Sequence, residues 1–202
     1  MTAKKGLLAW VSAFVAFDVV VIGLLLTTQL QFTSIEPRLV INLLSALITP
    51  PLLLLISSLL SADVKAALVF WRARFALPGH RAFSKYVYED ARIDMDSLRS
   101  SINPFPEDPS SQNREWYRIY RRLKDEFAVL DANRHYLLFR DLAAVSIFLA
   151  LGIPLVLWTA GFYGAIRPSA AIFTVQYILS CIAAQQNGVR LVKTVLAIES
   201  AQ

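Results

Sequence analysis

Four long apolar segments surround a single polar insertion, and this order limits the possible folds more than any other feature of the chain. Residues 6–26 carry one charge, Asp18, whereas residues 39–60, 142–166 and 169–189 carry none. A helix rises about 1.5 Å per residue, so each segment is long enough to cross a hydrocarbon core of about 30 Å. We therefore expect an all-α membrane protein with four transmembrane helices.

The expected domain organisation follows the same order. Transmembrane helices one and two occupy residues 6–60, a polar insertion occupies residues 61–141, helices three and four occupy residues 142–189, and a tail occupies residues 190–202. No proline or glycine interrupts residues 61–75, so the second helix is predicted to continue into the insertion. The insertion is thus expected to form a helical stalk and a small cytoplasmic cap.

Lys and Arg residues are distributed unevenly around the four segments. Eighteen of the 20 lie at the N-terminus, in the insertion or in the tail, whereas the two short loops hold only Arg38 and Arg167. Positively charged segments resist translocation across the membrane. We therefore expect a multi-pass protein of the bacterial inner membrane with both termini and the insertion in the cytoplasm.

The charges of the insertion nearly cancel, since it carries 14 basic and 12 acidic residues. Nucleic-acid binding depends on a strong positive field, so no nucleic-acid partner is expected. Cys181 is the only cysteine, and His80 and His135 are too few for a histidine-based metal site. Neither a phosphate-binding glycine loop nor a nucleophile elbow occurs, and the sequence predicts no cofactor and no metal.

Polar residues lie at a similar expected depth in all four apolar segments. A central carboxylate such as that of Asp18 costs about 2.5 to 3.5 kcal/mol on insertion scales, which makes it a candidate functional group. Counted from the outer helix ends, the groups about 9 to 15 Å deep are Asp18, Ser45, Thr49, Thr159 and Gln176. The leading interpretation is a hydrogen-bonded brace that holds the helices together, and the alternative is a path for ions or protons.

Prolines lie near the middle of two apolar segments. Pro50 and Pro51 are in the second segment and Pro154 is in the third. Proline removes a backbone donor and clashes with the preceding turn, so both helices are expected to kink. Such kinks are usually structural, and a hinge or gate is the alternative.

One stripe of large side chains in the insertion has helical spacing. Asp108 followed by Pro109 is typical of a helix start, and no breaker follows before Asp141, so one long helix into the third segment is expected. The stripe, with spacings of 4, 3, 4 and 3, consists of Trp116, Tyr120, Leu123, Phe127 and Leu130. This pattern predicts a face that packs on another helix, for which residues 61–75 are the natural partner.

Basic side chains lie along the same predicted helix, namely Arg118, Arg121, Arg122 and Lys124. Next to Trp116 and Tyr117, these residues could bind phosphate or an acidic partner. The i,i+4 pairs Arg121 with Asp125 and Arg122 with Glu126 favour the simpler interpretation, which is a solvated helix face.

Two further groups of residues are weighed against simpler roles. The acidic run Glu89, Asp90, Asp94 and Asp96 offers oxygen ligands for a divalent cation, but its spacing matches no calcium loop and Asp94 or Asp96 serves equally well as a helix cap. His135, between Arg134 and Tyr136, has no neighbouring nucleophile in the sequence, so packing near the membrane surface is favoured over catalysis.

The insertion contains the stretches LPGHRAFSKY, DARIDMDSL and DPSSQNREWYRIYRRL within residues 77–141, and in this respect it is similar to bacterial membrane proteins with two spans on either side of an insertion. In plan only, the chain also resembles membrane components of bacterial anti-phage systems. The leading hypothesis is a non-enzymatic protein, a membrane sensor or effector, whose cap binds a partner protein or forms a homo-oligomer. A small oligomeric pore is the first alternative, and an enzyme acting on lipid is the second.

Reporter fusions test the expected orientation. A fusion at Pro104 and another after Gln202 should both report the cytoplasm, because eighteen of the 20 Lys and Arg are expected on that side. Paired phosphatase and fluorescent reporters measure this, since each is active on only one side of the inner membrane. A periplasmic signal at either position would contradict the orientation.

Overall fold

The computed structural model describes residues 7–27 and 37–202, and within these ranges the regular structure is entirely helical. The α-helices are α1 (Leu7–Thr27), α2 (Pro37–Ser58), α3 (Ala62–Phe70), α4 (Met95–Ser101), α5 (Pro109–Leu123), α6 (Phe127–Thr159) and α7 (Tyr163–Ser200), with short 3₁₀ helices at Pro78–Arg81 and Tyr86–Tyr88. Helices α1, α2, α6 and α7 are long and apolar enough to cross a membrane. The expected all-helical architecture with four membrane-length helices is therefore confirmed by length and composition.

The outer faces of α1 and α2 are apolar along their length. Trp10, Phe17 and Leu24 on α1, and Ile41 and Ile48 on α2, each leave more than half of their surface exposed. A continuous apolar surface of this kind is unfavourable in water and is typical of a helix that faces lipid.

Helices α6 and α7 form the centre of the structure and make its most extensive helix–helix contact. They have 33 and 38 residues and are therefore about 50 and 57 Å long, which exceeds the about 30 Å of a hydrocarbon core. Leu149 and Ile153 of α6 pack with Phe173 of α7 and with α1 in one apolar cluster, and all three side chains are fully buried. The other end of the pair enters a second cluster, the core of the cap, where Val129 meets Val195.

One buried amide joins α5 to neighbouring loops of the cap, which is defined here as residues 62–126 together with the adjoining ends of α6 and α7. Gln112 of α5 is 1% exposed. Its Oε1 accepts hydrogen bonds from the backbone N–H groups of Phe83 and Ser84, and its Nε2 donates to the carbonyl of Glu107. Because a buried amide is stable only when it is hydrogen-bonded, Gln112 fixes the loop after Pro78–Arg81 against α5.

Helix α3 is separate from α2, so the predicted continuous extension of the second span is wrong. Helix α2 ends at Ser58, and the Ser61 side chain caps α3 by accepting a hydrogen bond from the Val64 N–H. Two side chains of α7 then satisfy carbonyls in the last turn of α3, since Tyr177 donates to Leu68 and Gln185 donates to Val69. These bonds fix α3 against α7 and supply partners that the end of a helix lacks.

The predicted rod from residue 110 into the third span is also wrong. Helix α5 ends at Leu123, Glu126 has an extended backbone, and α6 begins at Phe127. The turn folds α5 back onto α7 and onto Pro78–Arg81 instead of the expected partner, residues 61–75. A heptad stripe needs a continuous helix, so the break divides the predicted stripe into two parts with different directions.

The divided stripe explains the exposures of its members. Trp116 and Leu123 are buried in the cap core, and Tyr120 and Leu130 are partly buried. Phe127 is 82% exposed, so its predicted burial is wrong. Phe127 is the first residue of α6 and directly follows the turn, so it lies outside the region where α5 packs on α7.

The predicted kink residues lie inside helices. Helix α2 continues through Pro50 and Pro51, and α6 continues through Pro154. Helix α7 begins six residues before the predicted segment and also contains Pro168. A hinge or gating role for these prolines stays a prediction.

Alanine substitutions at Leu123 and Phe127 form a matched test of the cap. Leu123 is 4% exposed, so Leu123→Ala is expected to reduce the free energy of unfolding by about 2 to 5 kcal/mol. Phe127→Ala should leave it nearly unchanged, because the ring buries little surface. Denaturant unfolding of both variants in detergent measures the difference, and equal losses would contradict this packing of α5.

Candidate functional site

Asp18 of α1, Gln176 of α7 and Ser146 of α6 meet inside the helix bundle. Gln176 Nε2 lies 3.1 Å from Asp18 Oδ1 and 3.3 Å from Ser146 Oγ, and donates to both. The Ser146 hydroxyl donates to the Leu142 carbonyl at 2.9 Å. Asp18 and Ser146 are completely buried, so this polar cluster joins three helices through one amide group.

The other members of the predicted polar layer lie elsewhere. Thr49 is buried, but its hydroxyl donates to the Ser45 carbonyl within α2. Ser45 and Thr159 are exposed, and their hydroxyls donate to Asn42 and Val156 of their own helices. The prediction of one polar layer that includes all four helices is therefore wrong. Depth along a helix was the only basis for it, and the direction in which each residue faces decides which groups meet.

The geometry of the polar cluster favours a brace. The amide of Gln176 connects α1 with α6 and α7, and an unpaired amide in an apolar interior is costly, so the three helices are held in register. Asp18 Oδ2 is buried without a hydrogen-bond partner among the described residues. Passage of ions requires access to the carboxylate, whereas Asp18 has none of its surface exposed.

A cleft in the cap, named here the aromatic cleft, is the second candidate site. It lies between α5, α6, α7 and Pro78–Arg81 and has a volume of about 320 Å³. Its walls consist of Leu77, Pro78, Gly79, Asn113, Trp116, Tyr117, Tyr120, Asn133, Tyr136, Leu137, Gly188, Leu191 and Val192. Binding sites commonly have this composition, in which apolar and aromatic side chains predominate and a few amides and hydroxyls fix orientation.

The aromatic groups of the cleft are held in place by their neighbours. The Trp116 and Tyr120 rings stack with centroids 5.4 Å apart, and Asn133 Nδ2 donates to the Tyr120 hydroxyl at 3.1 Å. Burial raises the pKa of Tyr120, so the hydroxyl is neutral at pH 7 and keeps a proton to donate. The buried Trp116 Nε1 has no hydrogen-bond partner within the described ranges.

Two glycines allow the walls of the cleft to approach each other. A Cβ at Gly79 would overlap Asn113 Oδ1 and would stand 2.8 Å from Trp116 Cε3. A Cβ at Gly188 would stand 3.1 Å from the Tyr136 ring. Any larger residue at Gly79 would therefore push Pro78–Arg81 away from α5 and change the cleft.

The outward side of α5 next to the cleft is basic. Arg118 pairs with Glu115, and Arg122 pairs with Glu199 of α7 rather than with Glu126. The basic rim, defined here as Arg114, Arg121 and Lys124, is exposed and forms no salt bridge with another described residue. The i,i+4 pairing expected for Arg121 and Arg122 does not form because α5 ends at Leu123, before both acidic partners.

The acidic residues weighed as metal ligands serve as ion-pair partners and helix caps. Glu89 pairs with Lys85 and Lys193, and Asp94 caps α4 by accepting the N–H groups of Asp96 and Ser97. The hydrogen bonds from Arg92 lower the pKa of Asp90 to about 2. Within the described residues, no three His, Cys, Asp or Glu side chains are close enough together to hold a metal ion.

His135 lies on the exposed side of α6. Its Nδ1 is 2.9 Å from the Asp131 carbonyl and 3.4 Å from the Asp131 carboxylate. Tyr136, the next residue, faces inward and lines the aromatic cleft. The two side chains therefore contribute to different surfaces, and the structure places His135 in a local pair on α6.

Several residues of these sites were missed by sequence reasoning. Ser146, Asn113 and Asn133 are isolated polar residues in apolar or amphipathic segments, and no motif identifies them. Helical periodicity decides which way each of them faces. For Ser146 the sequence contains one such signal, since its spacing from the apolar residues of α6 places it on the buried face. Comparisons with protein families, curated proteins and solved structures give no match.

Substitutions of Asp18 distinguish a brace from a required charge. Asp18→Asn keeps an oxygen that accepts from Gln176, so the fold and the thermal midpoint should be nearly unchanged. Asp18→Ala removes the acceptor and should cost about 1 to 3 kcal/mol of stability. Thr159→Val is the control with no expected effect, since the Thr159 hydroxyl bonds only within α6.

Thermal unfolding and size-exclusion chromatography of the three variants measure these changes in detergent. A loss in Asp18→Asn as large as that in Asp18→Ala would show that the charge itself is required, and would contradict the brace.

Proposed function

We propose that this chain is a non-enzymatic, multi-pass membrane protein whose cytoplasmic cap docks an acidic segment of a partner protein. The observation that carries the proposal is the aromatic cleft with its basic rim, because the two form one continuous surface on α5. The four membrane-length helices act as the anchor, and α6 and α7 hold the cap at the membrane.

The apolar exteriors of α1 and α2 support the membrane anchor, since they would otherwise be exposed to water. The distribution of Lys and Arg supports a cytoplasmic cap. In that orientation, the cleft opens toward cytoplasmic proteins rather than toward the outer face of the membrane.

The aromatic cleft supports binding of one large apolar side chain. Interfaces take most of their binding energy from a few anchors that enter well-packed pockets. A cleft of about 320 Å³ with Trp116, Tyr117 and Tyr120 on one wall has the size and apolar lining for such an anchor. Tyr117 is 52% exposed, so the cleft already presents an aromatic surface to solvent.

The basic rim supports an acidic partner. Arg114 and Arg121 are seven residues apart on α5 and therefore lie on one side of the helix, next to Tyr117. Arg121 forms no salt bridge with a described residue, whereas Arg114 interacts electrostatically with Asp108 at the start of α5. An acidic segment would be attracted to this rim, and the anchor in the cleft would hold it in place.

The oligomeric pore and the homo-oligomer are less well supported by the geometry than a cap that docks a partner protein. A pore needs a polar lumen, whereas Asp18, the one charged residue of the four apolar segments, is enclosed within the bundle. A homo-oligomer would need a complementary surface on a second copy of the chain.

Site-specific photo-cross-linking in cells tests the docking surface. A photoreactive phenylalanine analogue at Tyr117 is expected to cross-link a partner protein, whereas the analogue at Tyr88, a tyrosine of the cap that is slightly more exposed, should not. Charge reversal by Arg121→Glu with Lys124→Glu should reduce the Tyr117 product about tenfold, because it replaces attraction by repulsion.

Arg72→Glu with Arg74→Glu is the matched control, since both residues are exposed, lie outside α5 and form no salt bridge with another described residue. A Tyr117 product that survives reversal of the rim would contradict the proposed charge complementarity. A product with twice the mass of this chain would establish the homo-oligomer instead.

A further inference from the structure

A second cavity lies where the apolar helices meet the cap. It has a volume of about 280 Å³ and is bounded by α1, α2, α3 and α6. Its apolar side includes Leu7, Val11, Leu54 and Val145, and its polar side includes Lys65 and Arg140. We name it the interface cavity.

The polar side of the interface cavity has more positive than negative charge. Lys65 Nζ and Arg140 Nη2 each lie 3.1 Å from the same oxygen, Oδ1 of Asp141. The three side chains are 10%, 13% and 27% exposed, so water screens them only partly. Two cations therefore share one carboxylate. An unpaired positive charge in a partly buried site raises the free energy of the folded protein, and a second anion bound there would lower it.

Both cations keep unused hydrogen-bond donors. The Lys65 ammonium group has three N–H bonds and the Arg140 guanidinium has five, whereas their described ion-pair partner is one oxygen of Asp141. The hydroxyls of Ser57 and Ser58, which also line the cavity, donate to the Leu54 and Leu55 carbonyls. Recognition of an anion here therefore depends on Lys65 and Arg140.

The position of the cavity along the helices indicates the kind of anion. Leu7 begins α1, Ser57 is in the last turn of α2, and Arg140 and Asp141 directly precede the apolar part of α6. The charged side thus lies at the level of lipid headgroups and the apolar side lies at the level of the first methylene groups. Basic pockets between membrane helices on the cytoplasmic side commonly bind anionic lipid headgroups.

We propose that the interface cavity binds one anionic phospholipid, with its phosphate on Lys65 and Arg140 and the start of an acyl chain against Leu54 and Val145. This site rests on the membrane insertion given under the proposed function, and it is independent of the partner docked on α5. Lys65 belongs to α3 and Arg140 to α6, so the bound lipid would connect the cap to the membrane helices.

Native mass spectrometry of the full chain in a mild detergent tests the site with two lipids of different charge. Phosphatidylglycerol is expected to bind as one molecule per chain and about tenfold more tightly than phosphatidylcholine. Arg140→Gln should remove about tenfold of the phosphatidylglycerol affinity, since charge-assisted hydrogen bonds are lost while the Lys65–Asp141 pair remains. Arg190→Gln, which removes the same charge from an exposed arginine of α7, is the matched control and should bind like the wild type.

A cavity-filling variant tests occupancy without a change of charge. Ser58→Phe keeps both cations and adds a ring at a residue that lines the cavity, so it should also weaken phosphatidylglycerol binding about tenfold. If Arg140→Gln fails to fold, the Ser58→Phe variant still tests whether lipid binds in the interface cavity. Wild-type affinity in a folded Ser58→Phe variant would overturn binding in the cavity, as would equal affinities of Arg140→Gln and Arg190→Gln.

Inorganic phosphate separates a lipid site from a site for free phosphate. A large excess of inorganic phosphate is expected to leave the lipid bound, because it lacks the apolar contacts. Displacement of phosphatidylglycerol by phosphate would overturn the lipid assignment. These variants leave α5 unchanged, so failure of the lipid site and failure of the docking surface are distinguishable.

Discussion

The antiparallel pairing of α6 and α7 is the interaction on which the rest of the structure depends. The two helices continue past the apolar bundle, so one pair contributes to the membrane-length core through Leu149 and Phe173 and to the cap core through Val129 and Val195. Helix α3 is fixed by side chains of α7, and α5 packs on the same helix. The position of the cap relative to the bundle is therefore set by two rigid helices rather than by flexible connections.

This arrangement explains why both candidate binding regions lie beside α6. The aromatic cleft takes Asn133 and Tyr136 from α6, and the interface cavity takes Arg140 and Asp141 from the next turn. Arg140 also lies over the Tyr136 ring, with 5.8 Å between the guanidinium and the ring centroid. The proposed partner site and the proposed lipid site thus meet at one short part of a single helix.

The sequence predicted the membrane-length helices because long uncharged segments have few other stable structures. It also predicted the helix start at Asp108, and of the two possible caps Asp94 and Asp96 it is Asp94 that caps α4. The course of the cap was not predictable in the same way. A heptad pattern across Leu123 and Phe127 favours a continuous helix, whereas contacts with α7, distant in the sequence, favour the turn at Glu126. The polar cluster was not predictable either, because the depth of a residue along a helix does not give the direction in which Thr159 or Ser146 faces.

Peptide binding by the full chain in lipid nanodiscs tests the proposed function most directly. The two probes are a short glutamate-rich peptide with one central tryptophan and a lysine-rich peptide of the same length and tryptophan position. The account predicts that the acidic peptide binds, that its affinity falls as ionic strength rises, and that the basic peptide does not compete. Equal binding of both peptides, or binding of the acidic peptide that is independent of salt, would contradict a docking surface built from the basic rim and the aromatic cleft.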